Sequence, residues 1–269
     1  MLTVARQSAD AHLMTHLRQT AAPPRPEQDT VRVGLGDGAS TSIQVARFDR
    51  SSFSAGVVLM RPMRRLLEWC GENEASDALI GGFYVRADEL PLGELRIAGR
   101  ALESRPFDSP WDTARACVHS LDGEVALRSR LELPAEPRGD LLQAGPMLVR
   151  NGVSLVEPGC DPEGFSAGAH QFDSDITAGR YPRAALGVSS TQLIAAVCEG
   201  RADGEAGLNL AELAAAMTDL GASDAINLDG GGSASLVVGG RLINTPREQC
   251  GSEIPGGRMV TTALRFIAR

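Results

Sequence analysis

The sequence predicts a single α+β domain of mixed or antiparallel β-sheets flanked by a few helices. Short alternating or apolar segments separated by Gly, Asp and Asn occupy most of the chain, which is typical of strands joined by tight turns. One amphipathic helical pattern, GLNLAELAAAMTDLG, stands at residues 207–221. With 43% hydrophobic residues, a chain of 269 residues suffices for one sizeable core.

The N-terminal segment is predicted to lie outside this domain. Residues 1–29 form an extension with a short helical pattern at 8–19 and an Ala/Pro-rich linker, AAPPRPEQD, at 21–29. The folded domain is then expected to span residues 30–269.

A hairpin and a helix are predicted to open the domain. VRVGL and SIQVARF alternate as strands, and the intervening GLGDG is a turn, since no helical pattern follows it as in a phosphate-binding loop. Pro62 suits a first helical turn, and the apolar residues near it have helical spacing, which predicts a helix in RPMRRLLEWCGENEA. These apolar residues are Met63, Leu66, Leu67 and Cys70.

The remaining elements follow from turn and cap signals. LGELRIAG, EVALRSRLEL and the hairpin AGPMLVRNGVSLVE are predicted strands, and the polar, Gly-rich residues 161–181 predict a long surface loop. PRAALGVSS and QLIAAVCEG are predicted to pair. The helix after them has a capping box of Asn209 and Glu212 and a stop signal at Gly221. The strand DAINL, the hairpin SLVVGGRLIN and the strand VTTALRFIA complete the domain.

Composition excludes several functions. The formal charge of −8, from 26 basic and 34 acidic residues, disfavours binding to nucleic acid or to an anionic membrane, so we expect a small-molecule partner. The basic residues are all arginine apart from the histidines, because the sequence contains no lysine. A Schiff base, a P-loop lysine and a lysine general base are therefore excluded.

The cysteines and the N-terminus predict a cytoplasmic protein. The five cysteines are scattered and none falls in a Cys-x-x-Cys spacing, which favours reduced thiols over zinc or redox chemistry. The first twenty residues lack the apolar core of a signal peptide, and no later run approaches transmembrane length.

The stretch NLDGGGS is the strongest functional signal. Asp229 comes at the end of a predicted buried strand and precedes Gly230, Gly231 and Gly232. Consecutive glycines destabilise a chain unless the backbone needs unusual angles or another group approaches closely. Their amides are one candidate for an anion-binding nest that faces the carboxylate. The alternative is a tight connection in which Asp229 caps its own turn, and the local pattern leaves both open.

The chain resembles the phosphodiester glycosidase family over several motifs in the family's order. NLDGGGSAS is the most specific of them. The others are GGFY at 81–84, LGELRIAGR at 92–100, AGPMLVRNG at 144–152, PRAALG at 182–187 and CEGR at 198–201. The resemblance covers about residues 75–269.

The resemblance implies hydrolysis at the anomeric carbon of a sugar joined through phosphate to a second group, which releases the sugar and a phosphomonoester. Arg183 and Arg201 are then candidates to hold the phosphodiester through guanidinium forks, with an exposed ion pair as the alternative for each. Asp229 is the candidate base or nucleophile, and Glu199 is the candidate second carboxylate.

Two departures from the family's pattern bear on the substrate. Ile80 stands where the family commonly has Asn before Gly-Gly-Phe, which either removes a contact to a sugar hydroxyl or marks a core position. Glu199 is one methylene longer than the usual aspartate, which either tunes the substrate or marks a structural residue. Together with the cytoplasmic location, these departures lead us to expect a substrate other than the usual amino-sugar phosphodiester. Asn227 either orients Asp229 or satisfies buried backbone groups. The predicted substrate-binding residues are Gly81, Gly82, Phe83, Asn227, Gly230, Gly231, Gly232, Ser233 and Asn244.

We expect no required cofactor, although a divalent metal is possible. His170, Asp173 and Asp175 have suitable types for a metal site, but such residues are also ordinary in a polar loop. The expected partner is a small-molecule sugar phosphodiester or related glycoconjugate, and the oligomeric state is left open. The rival hypotheses are a related phosphodiester or glycosyl-transfer enzyme of specialised metabolism and a non-catalytic glycan-phosphate binding module.

Overall fold

The computed structural model describes residues 23–157, 160–165 and 179–269, in which strands are far more frequent than helices. The helices are α1 (Leu66–Glu72), α2 (Trp111–Ala114) and α3 (Leu210–Asp219). The strands are β1 (Glu27–Gly34), β2 (Ser40–Asp49), β3 (Phe53–Arg65), β4 (Ala78–Ile80), β5 (Tyr84–Val85), β6 (Leu90–Pro91), β7 (Leu95–Ile97), β8 (Arg100–Ala101), β9 (Ala116–Leu121), β10 (Glu124–Ser129), β11 (Asp140–Gln143), β12 (Met147–Arg150), β13 (Val153–Ser154), β14 (Arg183–Val188), β15 (Gln192–Cys198), β16 (Asp224–Asn227), β17 (Leu236–Val238), β18 (Arg241–Leu242) and β19 (Met259–Ala268).

The longer strands form three antiparallel sheets. A seven-stranded sheet has the order β1-β2-β15-β14-β16-β12-β13, and two five-stranded sheets have the orders β18-β17-β4-β19-β3 and β10-β9-β11-β7-β8. The fold class predicted from the sequence, α+β with antiparallel sheets, is confirmed. The helical pattern at 8–19 and most of the loop predicted at 161–181 lie outside the described residues.

The central strands of the seven-stranded sheet are buried on both faces, which explains the continuous apolar runs of β14 and β15. On one face, Leu186 packs in the main core with Leu264 of a five-stranded sheet. On the other, Ile194 packs with Met217 of α3. Gly187 of β14 permits this close packing, because a Cβ atom there would lie 2.7 Å from Cε of Met217.

The helix predicted from Pro62 onward is wrong in its first part. Pro62 and Met63 belong to β3, and α1 begins only at Leu66. The pairing of β3 with β19 shifts register between Val260 and Thr262, so Pro62 lies at a bulge of the ladder. A bulge tolerates a residue that has no N–H to donate, and this tertiary pairing overrides the local helical spacing.

Local turn and cap signals are confirmed. The first hairpin turns at Leu35, whose carbonyl accepts from the Gly38 amide at 2.9 Å. Its strand β1 begins within the stretch predicted as linker. In α3 the Asn209 side chain accepts from the Glu212 amide at 2.9 Å, and the Glu212 carboxylate accepts from the Asn209 amide at 2.9 Å.

Candidate active site

Asp229 lies where the seven-stranded sheet meets the sheet that contains β4 and β19. It follows β16 by two residues, and its backbone amide donates to the Gly81 carbonyl at 3.0 Å, just after β4. The Gly81 amide in turn donates to the Thr262 carbonyl of β19 at 3.0 Å. The two glycine motifs, which are far apart in the chain, are therefore adjacent in the fold.

The Asp229 carboxylate is buried and only partly hydrogen-bonded. Oδ1 accepts from the Gly230 amide at 2.8 Å, whereas Oδ2 has no hydrogen-bond partner among the described residues. Burial raises the pKa of Asp229 to about 6, and the Gly230 amide, the Ser233 hydroxyl and the charges of Arg258 and Arg86 limit the rise. A carboxylate with this pKa can exchange protons near neutral pH.

The first two glycine amides are used within the protein. Besides the bond from Gly230 to Asp229, the Gly231 amide donates to the Pro182 carbonyl at 2.8 Å. Gly231 has a φ of +58°, which favours glycine. Of the two alternatives that the sequence leaves open, the structure shows the turn capped by its own aspartate, and these two amides do not form an anion nest.

The glycines instead allow two guanidinium groups to approach the turn. A Cβ atom on Gly231 would lie 3.3 Å from Nη2 of Arg201, and one on Gly232 would lie 2.6 Å from Nε of Arg258. Close approach by another group is one reason for a fold to keep consecutive glycines. The Gly-Gly-Gly run therefore accommodates arginines.

Three arginines surround the Asp229 turn. Arg201 is half-buried, and its Nη1 donates to the Arg247 carbonyl at 3.0 Å. Arg258 is mostly buried and pairs with Glu248. Arg86 is exposed, and its charge lowers the pKa of both Asp229 and Glu248. We call the region formed by Arg86, Arg201 and Arg258 around the Asp229 turn the mouth of the site, and its positive charge makes it attractive to an anion.

Arg183 is held away from solvent by the backbone. Its side chain is fully buried, with Nε donating to the Leu208 carbonyl at 2.7 Å and Nη2 to the Gly179 carbonyl at 3.1 Å. Burial lowers the pKa of Arg183 to about 10. The Tyr181 ring links the two predicted arginines, because its centroid lies 5.8 Å from Cζ of Arg183 and 5.9 Å from Cζ of Arg201.

Glu199 binds the loop of residues 245–257. Its two carboxylate oxygens accept from the Thr245 amide at 3.1 and 3.2 Å. Burial raises the pKa of Glu199, and the charge of Glu205 raises it further. The carboxylate that shares the cations Arg258 and Arg86 with Asp229 is Glu248. The geometry thus gives Glu199 a loop-anchoring contact, and its catalytic role stays a prediction.

The side chains of the two predicted asparagines differ in their hydrogen bonds. The Asn227 amide group donates to the Gly145 carbonyl at 3.0 Å, but its Oδ1 is buried without a hydrogen-bond partner among the described residues. Both polar atoms of the Asn244 side chain are hydrogen-bonded, since Nδ2 donates to the Ala234 carbonyl at 2.8 Å and Oδ1 accepts from the Leu236 amide at 3.0 Å. Asn227 therefore satisfies a buried backbone carbonyl, which was one of its two predicted roles, and its contact to a substrate stays a prediction; Asn244 holds the hairpin of β17 and β18 together.

The Gly-Gly-Phe motif packs against β19 next to the site. The Gly82 amide donates to Oγ1 of Thr262 at 3.0 Å, and a Cβ atom on Gly81 would lie 2.5 Å from the same oxygen. Phe83 is buried in a small aromatic cluster with Phe107 and Phe165. Ile80 belongs to the main core and is fully buried, so the core alternative holds for this position.

Sequence reasoning missed the groups that complete the site. Arg86 follows Gly-Gly-Phe by three residues, and Arg258 follows a glycine pair at the start of β19, yet nothing local distinguishes them from the other arginines. Burial raises the pKa of Tyr84, and the charge of Asp229 raises it further, which indicates that Tyr84 also lies near the site. Sequence spacing alone carried no signal for Glu248.

Residues 23–157, 160–165 and 179–269 contain no group of three or more His, Cys, Asp or Glu side chains that could hold a metal ion. In the same ranges no helix is long and apolar enough to cross a membrane. His170, Asp173 and Asp175 lie outside the described residues.

The sequence profile of the phosphodiester glycosidase family matches residues 73–267. The chain belongs to this family of hydrolases. The resemblance found in the motifs is thereby confirmed. N-acetylglucosamine-1-phosphodiester alpha-N-acetylglucosaminidase of Mus musculus is 33% identical over 122 residues, which are 44% of this chain and 23% of the mouse protein. The match thus spans about a quarter of that relative's length.

Solved structures share the fold at low identity. The zebrafish N-acetylglucosamine-1-phosphodiester alpha-N-acetylglucosaminidase catalytic domain, auto-inhibited by its pro-peptide, has a TM-score of 0.69 and 19% identity over 93% of this chain and 85% of that chain. A hypothetical protein from Synechocystis has a TM-score of 0.63 and 18% identity, and the match covers 93% of this chain and 64% of that chain. A putative exported protein from Burkholderia pseudomallei has a TM-score of 0.57 and 16% identity, and the match covers 86% of this chain and 74% of that chain.

Proposed function

We propose that this protein hydrolyses a sugar-1-phosphodiester at the anomeric carbon and releases the sugar and a phosphomonoester. The observation that carries the proposal is the Asp229 carboxylate, which has one oxygen held by Gly230, a second buried oxygen with no partner among the described residues, and a pKa of about 6. Such a carboxylate beside several guanidinium groups suits attack on a sugar carbon that carries a phosphate leaving group.

Arg201 and Arg258 are the groups we assign to the phosphate. Both guanidinium groups lie against the glycine turn that follows Asp229. A guanidinium fork binds two phosphate oxygens at fixed geometry, and it keeps its charge throughout the reaction. Stabilisation of the leaving phosphate by these cations reduces the need for a proton donor. Arg183, held by backbone carbonyls, supports Arg201 through Tyr181.

Asp229 is assigned as the base or nucleophile. Its Oδ2 is available either to take a proton from water or to attack the anomeric carbon directly. The free Oδ1 of Asn227, two residues earlier, is assigned to a sugar hydroxyl. Glu199 is assigned an indirect role, since it holds the loop that carries Glu248 next to Arg258.

The sugar is proposed from the relatives. The mouse and zebrafish proteins are named for N-acetylglucosamine phosphodiesters. Because Ile80 is buried in the core, its departure from the family pattern gives no reason to expect a different sugar. We therefore place N-acetylglucosamine-1-phosphodiesters first among the substrates to be tested.

A panel of sugar-1-phosphodiesters, assayed for released sugar, tests the function. Wild-type protein should release free sugar and a phosphomonoester in equal amounts, and Asp229→Asn should not. Transfer of the sugar to an added alcohol in preference to water would indicate the rival glycosyl-transfer reaction. Binding with equal affinity by wild type and Asp229→Asn, without turnover of any substrate, would indicate a binding module.

Two further expectations belong to this proposal. The arginines supply positive charge at the phosphate, so we propose that no cofactor is required and that EDTA leaves turnover unchanged. All five cysteines are unpaired, which is typical of a reducing compartment, and we propose a cytoplasmic site of action. Two disulfides in protein isolated from its natural host would contradict that location.

A further inference from the structure

The loop of residues 245–257 contacts the glycine turn directly. Cδ1 of Ile254 would lie 2.7 Å from a Cβ atom on Gly232, and the Arg201 carbonyl would lie 3.0 Å from one on Gly251. At the end of the loop, the Arg258 amide donates to the Gly232 carbonyl at 3.4 Å. The loop therefore places its side chains at the mouth of the site.

Glu248 of this loop binds the fork of Arg258. Its Oε2 pairs with Nη2 of Arg258, and its Oε1 accepts from Nε at 3.4 Å. The Glu248 side chain is 43% exposed, whereas that of Arg258 is 19% exposed, so the carboxylate covers the guanidinium on the solvent side. The charges of Arg201 and Arg86 also act on this carboxylate.

We propose that Glu248 is an internal anion which occupies the place on Arg258 that the substrate phosphate takes, and that it limits retention of the phosphomonoester product. This inference rests on the proposed function. The Nε and Nη2 edge of a guanidinium binds a carboxylate and a phosphate in the same two-point geometry. A phosphate can use that edge only after Glu248 has left it.

The charges around the turn give the competition a direction. Arg86, Arg201 and Arg258 provide the positive charge, and Glu248 offsets part of it for any anion that enters. A phosphodiester carries one negative charge, whereas a phosphomonoester carries close to two at neutral pH. Glu248 therefore opposes the product more than the substrate, which makes it a residue that selects between the two ligands.

Isothermal titration with inorganic phosphate tests the inference without turnover. Glu248→Gln keeps the shape of the side chain and removes its charge, so it should lower the Kd for phosphate by about tenfold, as expected for loss of one competing charge-assisted contact. Glu253→Gln is the matched control. Glu253 lies on the same loop, is 62% exposed and pairs with Arg247 instead of Arg258, and its replacement should leave the Kd within twofold.

An unchanged or higher Kd in Glu248→Gln, with the thermal unfolding of the variant like that of wild type, would overturn the inference. If Glu248→Gln unfolds, Glu248→Ala serves in its place, since it also removes the charge and should lower the Kd. Product inhibition by the phosphomonoester should strengthen in parallel with phosphate binding. Tighter phosphate binding without turnover on any phosphodiester would uphold the competition of Glu248 with phosphate for Arg258 and reject the proposed reaction.

Discussion

The guanidinium of Arg201 and the backbone of Gly231 are packed so closely that a Cβ atom on Gly231 would lie 3.3 Å from Nη2 of Arg201. This contact joins the glycine turn after Asp229 to a cation that we assign to the substrate phosphate. Any side chain at residue 231 must displace Arg201 by a few tenths of an ångström.

Gly231→Ala should weaken phosphate binding as well as stability. The φ of +58° at Gly231 costs an alanine about 1 kcal/mol of folding free energy, and the displaced Arg201 should raise the Kd for inorganic phosphate several-fold. Gly239→Ala is the control, because Gly239 has a φ of +56° and no atom lies within 4 Å of its Cβ position. Thermal unfolding and phosphate titration check both variants, and an equal rise of Kd in the two would refute the contact's role.

Asp229→Asn should remove turnover while the fold persists. The substitution is nearly isosteric and eliminates the charge, so kcat should fall by about 10²-fold or more, as for loss of a general base. In wild type, kcat/KM should decline as pH falls through about 6, because burial raises the pKa of Asp229 to about 6 and only the ionised form acts. Initial rates from pH 4.5 to 8 provide the measurement. Activity within a few-fold of wild type would exclude the assignment.

The same substitution should stabilise the protein at neutral pH. Burial raises the folded-state pKa of Asp229 from 3.8 to about 6, so the folded state binds more protons than the unfolded state between these values, and the wild-type free energy of unfolding falls as pH rises through this window. The shift corresponds to about 3 kcal/mol. The difference in stability between Asp229→Asn and wild type should therefore grow by up to about 3 kcal/mol from pH 4 to pH 7. Urea denaturation at both pH values checks this, and a constant difference would contradict it.

Arg201→Gln and Arg183→Gln should have different effects. Arg201 is half-buried at the mouth, so its replacement should raise KM for a phosphodiester far more than the Kd for the free sugar. Arg183 is fully buried and donates to the carbonyls of Leu208 and Gly179, so its replacement should lower the free energy of unfolding by about 2 kcal/mol or more. Kinetics with unfolding curves separate the two roles. A fully stable Arg183→Gln with only a KM defect would restore Arg183 as a direct phosphate ligand.

Much of the fold follows from the sequence where the deciding contacts are local. Two local features form as predicted, because each depends on atoms only a few residues apart. They are the capping box of Asn209 and Glu212 and the hairpin at Asn151 and Gly152. Pro62 shows the limit of this reasoning. Its neighbours have helical spacing, but pairing with β19, almost at the other end of the chain, places it in a strand.

By itself, the sequence determined the fold class and the family resemblance and marked Asp229 as the candidate carboxylate, because NLDGGGS and the turn signals act through neighbouring residues. Only the tertiary structure decided which charged groups surround Asp229. In the fold, Arg258 lies against Gly232, Arg183 donates to the Leu208 carbonyl, and Glu199 accepts from the Thr245 amide. Each of these contacts joins segments that are separated along the chain and meet through sheet pairing and loop packing, so residue type and spacing do not specify them.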